Sequence, residues 1–427
     1  MQREERDTVD IDHDAVAAIR RERVDWRFKG LPASAFGATV GEVADRRPDL
    51  FADGFVGPLV VLDAAALEHN LTTMSEWCAA HGVLLAPHGK TTMAPQLFAR
   101  QLAHGAWGIT AANTSQLRVY RAFGVRRVLL ANQLVDPAGL AWVAAELAAD
   151  PSFEFTCWAD SVAGVRRMTE ALGTPARPVD VLVELGAPGG RTGARDQDTA
   201  AEVARAVADS PALRLAGVAG YEGALAHDAS PAALSAVDGY LRDLRAFTTR
   251  VHDLVEVAEP IVTAGGSAYF DQVAAVLTEP WPFPVRPVLR SGAYVTHDDG
   301  FYRGISPFGR GAGQPFRSAL RAWAQVTSRP EPGLALLTLG KRDASFDEGL
   351  PEPQVVRGRD GVERPLAATV TALNDQHAFL ALPADSTVEV GDWVGLGLSH
   401  PCTVFDKWQL LPVVDGTTVV DLVRTYF

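Results

Sequence analysis

Lys90 stands in the segment PHGKTT, just past the apolar run VLLAP at 83–87. A lysine amine held neutral by burial can attack an aldehyde and can take up a proton. A lysine in a solvent-facing loop does neither, and the segment by itself allows both readings. Composition adds weight: of 39 basic residues only four are lysines, Lys29, Lys90, Lys341 and Lys407. Arginine serves wherever charge alone is needed, so a retained lysine is either a chance survivor or a place that needs a neutralisable amine.

Three further groups could do chemistry. In TAGGSAYFD (263–271) an apolar run enters Gly265-Gly266-Ser267 and passes straight into a helical pattern. Glycines let backbone N–H groups approach an anion, and the helix start adds its dipole, so the segment suits a phosphate; it equally suits an ordinary tight turn. ELGAPGGRTGAR (184–195) offers Arg191 in a glycine-rich loop, suited to a cofactor oxygen or a substrate carboxylate. Tyr221 in GYEG and Tyr294 in SGAYVTHDDG stand at ends of apolar runs, where a tyrosine either lines a site or packs in a core. Finally, LSHPCTVFDKW (398–408) sets His400 and Cys402 two positions apart, on one face if the segment is a strand. Imidazole and thiolate together suit zinc, but two ligands are not a site, and a buried cysteine beside a turn histidine has the same spelling. His377, Asp343 and Asp406 are the candidates for a third ligand.

These residues need a scaffold. From Leu59 onward nine apolar runs alternate with amphipathic stretches: 59–63, 83–87, 107–112, 127–132, 153–160, 179–186, 215–223, 261–266 and 285–292. The clearest helix follows Ser230-Pro231, with Leu234, Val237, Leu241, Leu244 and Phe247 on one face. Repeated βα units predict a parallel sheet, and nine strands are one too many for an eight-stranded barrel. The first run, LVVLD, is therefore assigned to another sheet. Beyond residue 310 short β-rich runs separated by Gly and Asp predict an antiparallel domain. The expected fold is α/β, a (β/α)8 barrel over 55–310 with a C-terminal antiparallel β-domain over 311–427. Residues 1–54 are expected to be an extension that wraps on the surface or on a neighbouring subunit. At the C-terminal mouth of such a barrel, Lys90 would lie after the first strand and the glycine turn after the seventh, where barrels commonly bind phosphate.

Bulk properties narrow the classes. With 47% apolar and 21% charged residues, the 427-residue chain reads as an ordinary soluble globular protein. It has no apolar stretch of membrane length, and a net charge of −13 without a basic cluster argues against a nucleic-acid partner. The first fifteen residues are charged and carry no secretory pattern, which makes the cytoplasm the expected location. Cys78, Cys157 and Cys402 are too few for a disulfide framework.

Taken together, GPLVVLDAAALEHNL, PHGKTTMAPQLFARQL and HPCTVFDKW resemble the D-serine dehydratase and D-threonine aldolase family of alanine-racemase-like, fold-type III enzymes. The resemblance covers most of 57–427 and leaves 1–54 unexplained. It implies that Lys90 carries pyridoxal 5'-phosphate as a Schiff base, with His88 beside it among the cofactor contacts. It further implies that Gly265, Gly266 and Ser267 hold the phosphate, that Arg191 lies near the pyridine ring, and that Tyr221 and Tyr294 line the pocket. His400 and Cys402 would bind Zn2+, and the molecule would be a homodimer. One departure stands out: in GYEGALAHD, Glu222 comes first and His227 later, where family members often carry a histidine loop.

The activity this implies is zinc-assisted dehydration and deamination of a D-serine-like β-hydroxy amino acid to a 2-oxo acid and ammonia. The nearest alternatives are a D-threonine-type aldolase and a 3-hydroxyaspartate dehydratase. A racemase needs a second acid/base, usually a tyrosine of the β-domain, and Tyr426 is the only tyrosine beyond residue 310. A cofactor-binding protein without turnover would lack the β-domain altogether.

Overall fold

The computed structural model describes residues 10–311 and 313–427. The first nine residues of the expected 1–54 extension lie outside the described residues. All nine apolar runs form strands: β1 (Leu59–Asp63), β2 (Leu84–Leu85), β3 (Ile109–Ala111), β4 (Arg127–Gln133), β5 (Glu154–Ala159), β6 (Val179–Glu184), β7 (Leu213–Ala219), β8 (Ile261–Thr263) and β9 (Arg286–Leu289).

β2 to β9 make one parallel sheet in the order β2-β9-β8-β7-β6-β5-β4-β3. Its ends meet: the Trp107 amide donates to the Leu85 carbonyl at 2.7 Å and the Thr110 amide to the Pro87 carbonyl at 2.9 Å. The curled sheet thus closes into the expected barrel. Alternation inside each run explains how continuous apolar spelling serves two faces. Leu129, Trp158, Leu182, Ala216 and Val288 pack together inside. Their neighbours Val128, Leu130, Phe155, Cys157, Val181 and Val183 point out to the covering helices. The helix after Ser230-Pro231 spans Pro231–Arg250, its first turn capped by the Ser230 hydroxyl accepting the Ala233 amide at 3.2 Å.

The second sheet takes β1, as strand counting requires. Past the barrel come β10 (Leu320–Glu331), β11 (Leu334–Leu337), β12 (Glu352–Arg357), β13 (Glu363–Pro365) and β14 (Thr369–Leu373). They are followed by β15 (Ala378–Ala381), β16 (Trp393–Gly397), β17 (Leu410–Asp415) and β18 (Thr418–Arg424). The order is β13-β12-β16-β10-β1-β17-β18, with β11, β15 and β14 continuing from β10. β1 runs antiparallel to β10 and parallel to β17.

The N-terminal segment packs on this sheet within the same chain. Val24, Phe28, Leu31, Val40, Val43 and Leu50 bury against Leu59, Val61, Trp323, Leu410 and Leu422. Its helix Val40–Arg46 starts with a capping box in which Thr39 and Glu42 satisfy one another's backbone amides. Among the described residues no helix is long and apolar enough to cross a membrane.

Candidate active site

The C-terminal ends of the barrel strands converge on a cavity of about 250 Å3. Lys90 enters it from the turn Gly89–Thr91, which leads on from β2. Gly292, after β9, allows that turn to lie close: a Cβ there would meet the His88 carbonyl at 2.6 Å. Trp158 from β5, Glu184 at the end of β6, Arg191 in the following loop, Tyr221 after β7 and Arg290 after β9 complete the floor and wall. Of the residues named from sequence, His88, Lys90, Arg191, Tyr221, Gly265, Gly266, Ser267, His400 and Cys402 all line this cavity.

Its inner end is strongly basic. Burial pushes the Lys90 amine below the ordinary lysine value; Cys402 opposes this, and Arg191 and Arg290 add to it. Burial also holds His88 well below the usual imidazole range, with Lys90, Arg290 and Arg191 acting the same way. A guanidinium is otherwise unavoidable charge: Arg290 is 3% exposed, donating to the Thr263 hydroxyl and to the Gly220 carbonyl, both at 2.6 Å. Its Nε and the Nδ1 of His88 are buried without a hydrogen-bond partner. Arg191 lies over the Tyr221 ring at 4.5 Å. Basic groups around a buried amine, with unpaired buried nitrogens, fit an anionic aldehyde such as pyridoxal phosphate.

The glycine turn differs from the expectation in one respect. Gly265, at φ +102°, and Gly266 present their amides as a nest, and both donate to the fully buried Glu222 carboxylate, at 2.9 and 2.7 Å. The nest is thus built for an oxyanion, but a carboxylate of the chain takes these two amides, leaving Ser267 as the member of the trio facing the cavity without a side-chain bond among the described residues. Removing that acceptor strands two buried donors, at roughly 1–3 kcal/mol each. Glu222→Ala is expected to lower the melting temperature by several degrees and to speed loss of pyridoxal phosphate on dialysis. Unchanged melting and retention would show that the nest keeps its shape unaided.

Tyr294 is not brought to the cavity. It is 3% exposed, accepts from Gln101 at 3.3 Å and packs beside Phe316, because the turn after Gly292 directs it back into the barrel-to-helix core. Tyr302, which sequence reading passed over, lines the cavity instead. Burial keeps its hydroxyl protonated well above the ordinary tyrosine value, with Cys402 adding to the effect.

The segment that links β16 to β17 of the second sheet closes the cavity beside the Lys90 turn. The Cys402 thiol lies 3.4 Å from the hydroxyl of Thr91, the neighbour of Lys90. Cys402 opens a short helical turn, Cys402–Phe405, and His400 stands two residues before that turn; neither is on a strand, yet both face the cavity. His400 adopts φ +47°, a conformation rare for a side-chain-bearing residue. Its amide is held at 2.9 Å by Asp298, whose other oxygen accepts from the amides of Gly300, Tyr302 and Arg303. One buried carboxylate therefore fixes both His400 and Tyr302. His400 Nδ1 meets Asp347 at 2.6 Å, and a hydrogen bond with Cys402, with Asp347 adding to it, raises the ring to about 9.

Among the described residues no three His, Cys, Asp or Glu side chains gather as a metal cluster. The third-ligand candidates lie elsewhere. Asp343 binds Lys29 at 2.9 Å, Asp406 pairs with Lys407 at 3.3 Å, and His377 sits exposed between β14 and β15. The donor set still fits a divalent ion bound with open positions: imidazole and thiol adjoin, and Asp347 occupies Nδ1 and so orients the opposite ring nitrogen.

The alanine racemase N-terminal domain matches residues 62–278, half of the chain, and the serine dehydratase domain matches residues 319–414. The chain belongs to the alanine racemase-like family. The D-threonine aldolase of Arthrobacter sp. is 29% identical over 368 residues, covering 86% of this chain and 90% of that one. The crystal structure of D-threonine aldolase from Filomicrobium marinum matches with a TM-score of 0.74 at 27% identity, covering 88% of this chain and 96% of that one. The D-threo-3-hydroxyaspartate dehydratase of Delftia sp. HT23 shares the fold, with a TM-score of 0.69 at 22% identity over 87% and 98% of the two chains. This alanine racemase-like chain thus stands among lyases of D-β-hydroxy amino acids.

Proposed function

We propose that this chain is a pyridoxal-phosphate-dependent, zinc-assisted lyase that dehydrates and deaminates a D-serine-like β-hydroxy amino acid. The observation that carries this reading is that the Lys90 amine and the His400/Cys402 pair line one cavity. An elimination needs a base at the α-carbon and assistance to a leaving hydroxide, and the two lie side by side, Cys402 touching Thr91 next to Lys90.

The cofactor, when bound, stabilises negative charge at the α-carbon. Lys90 holds it and, lowered by burial, is the group that takes the α-proton. Arg290 and His88 supply fixed partners on the inner wall, and Arg191, stacked on Tyr221, offers a guanidinium to a carboxylate. His400 and Cys402 would hold a divalent ion, which would supply Lewis acidity for the loss of the β-hydroxyl. Tyr302, kept protonated, donates to the departing hydroxyl rather than accepting from it. Loss of the α-proton and the hydroxide makes one water; hydrolysis of the resulting enamine gives the 2-oxo acid and ammonia.

A second reading, cleavage of the Cα–Cβ bond, is favoured by the likeness to D-threonine aldolase over most of the chain. The two are separated by products. Across a panel of D- and L-serine, threonine and 3-hydroxyaspartate with added zinc, ammonia and a 2-oxo acid in equal amounts are expected from a D-substrate. Glycine and an aldehyde would replace dehydration by the aldolase reading, and no product from any substrate would defeat both.

A further inference from the structure

The scarcity of lysine has a spatial counterpart. Lys90 is in the cavity, and the other three lysines all meet the structure that carries His400 and Cys402. Lys407 donates to the Thr403 carbonyl. Lys341 lies over Phe346 at 5.5 Å, at one end of the loop 340–348. Lys29 comes from the N-terminal segment and donates to the Asp343 carboxylate at 2.9 Å and the Arg342 carbonyl at 3.0 Å, with its ammonium 4.0 Å over the Trp408 ring.

Asp343 is the point where the loop 340–348 is fastened to Lys29 and to the segment 398–408. Its carboxylate, 5% exposed, also accepts from the Gly340 amide and from Gln376, at 3.1 and 2.9 Å. Its carbonyl accepts the Trp408 indole N–H at 2.8 Å. Further along the same loop Ser345 donates to the Ser399 carbonyl, Ser399 donates to the Glu348 carbonyl at 2.7 Å, and Asp347 takes both Thr403, at 2.8 Å, and His400. The compact ammonium of Lys29 satisfies two oxygens and an aromatic face at once, a geometry that a flat guanidinium does not reproduce. Without it a buried carboxylate loses the one cation that pairs with it among the described residues, which is strongly unfavourable, and the loop must shift to hydrate it.

We propose that Lys29 and Asp343 are a positioning pair: they set the loop 340–348 so that Asp347 holds the His400 ring in its metal-ligating orientation. The N-terminal segment is then a working part of the metal-bearing wall. This inference rests on the reading of His400 and Cys402 as ligands of a divalent ion.

The test is metal affinity in the cofactor-loaded protein. Lys29→Met keeps the stem over Trp408 and removes the ammonium. Loss of a group that orients a ligand weakens metal binding roughly 10–100-fold. Zinc affinity, read by competition with a chromophoric chelator, is expected to fall about 10-fold in Lys29→Met. Asp343→Asn should show a similar loss, and the double variant no more than either. The cofactor absorbance should match the parent, and in Co2+-substituted protein the thiolate-to-cobalt band should weaken. Zinc affinity within twofold of the parent in Lys29→Met, even with a lower melting temperature, would reduce Lys29 to a structural contact and overturn the pair. A parent protein that takes up neither zinc nor cobalt overturns the metal reading itself, and this inference with it.

Discussion

Lys90→Ala protein, purified with added pyridoxal phosphate, is expected to show no borohydride-reducible visible absorbance and to lose turnover by ~10^4-fold or more. No neighbour can replace the amine. His88 is held neutral by burial and lacks a primary amine, while Arg290 and Arg191 remain guanidinium. Lys29, Lys341 and Lys407 are anchored on or beside the segment that carries His400 and Cys402. The fold should survive, since among the described residues Lys90 makes no side-chain hydrogen bond that holds other elements, and its removal relieves a desolvated amine. Melting at or above the parent temperature together with a vanished chromophore is the expected pair of results. A persistent chromophore would move the cofactor to another residue and end the reading of this site.

The second large effect is at His400 and Cys402. Stripping divalent ions with a chelator is expected to suppress ammonia release by about 100-fold, the equivalent of ~3 kcal/mol of lost stabilisation of the leaving oxygen, while the Lys90 chromophore stays. Zinc should restore activity to the parent and not to Cys402→Ala. Cys402 touches Thr91, the neighbour of Lys90, at 3.4 Å, so an ion held there would lie beside the cofactor lysine rather than at a remote structural position. Undiminished turnover after chelation would remove the metal from the chemistry and leave His400 and Cys402 as a closing contact.

Much of this site was legible because barrels put chemistry at strand ends. Counting apolar runs moved LVVLD out of the barrel, and β1 indeed pairs with β10 and β17. Lys90 and the turn Gly265-Gly266-Ser267 then fell on the same mouth. The residues that escaped are those whose partners are remote in sequence. Glu222 was visible as a departure from the family pattern, but nothing in its spacing says that it crosses to the next loop and takes the glycine amides. Asp347 is 53 residues from His400, and only the folding of the loop 340–348 onto the segment 398–408 joins them. Asp406, close to Cys402 in sequence, turns away to Lys407. Tyr294 had the right residue type, but a turn decides whether a side chain faces cavity or core, and that turn faces the core. Arg290 and Trp158 were hidden inside the strand runs themselves, where the polar head of one and the inward face of the other give no separate signal.

The strand Leu59–Asp63 lies between neighbours from the far end of the chain: Leu62 sits across from Leu320 on one edge and Val413 on the other. On a ribosome elongating at about 5–20 residues per second, this apolar strand waits tens of seconds for its second neighbour. Throughout that interval the barrel can close while Val24, Phe28 and Leu31 still lack Leu410 and Leu422 to cover them. The vulnerable species in the cell is therefore the nearly finished chain, and premature termination late in the message should yield insoluble product rather than a soluble barrel.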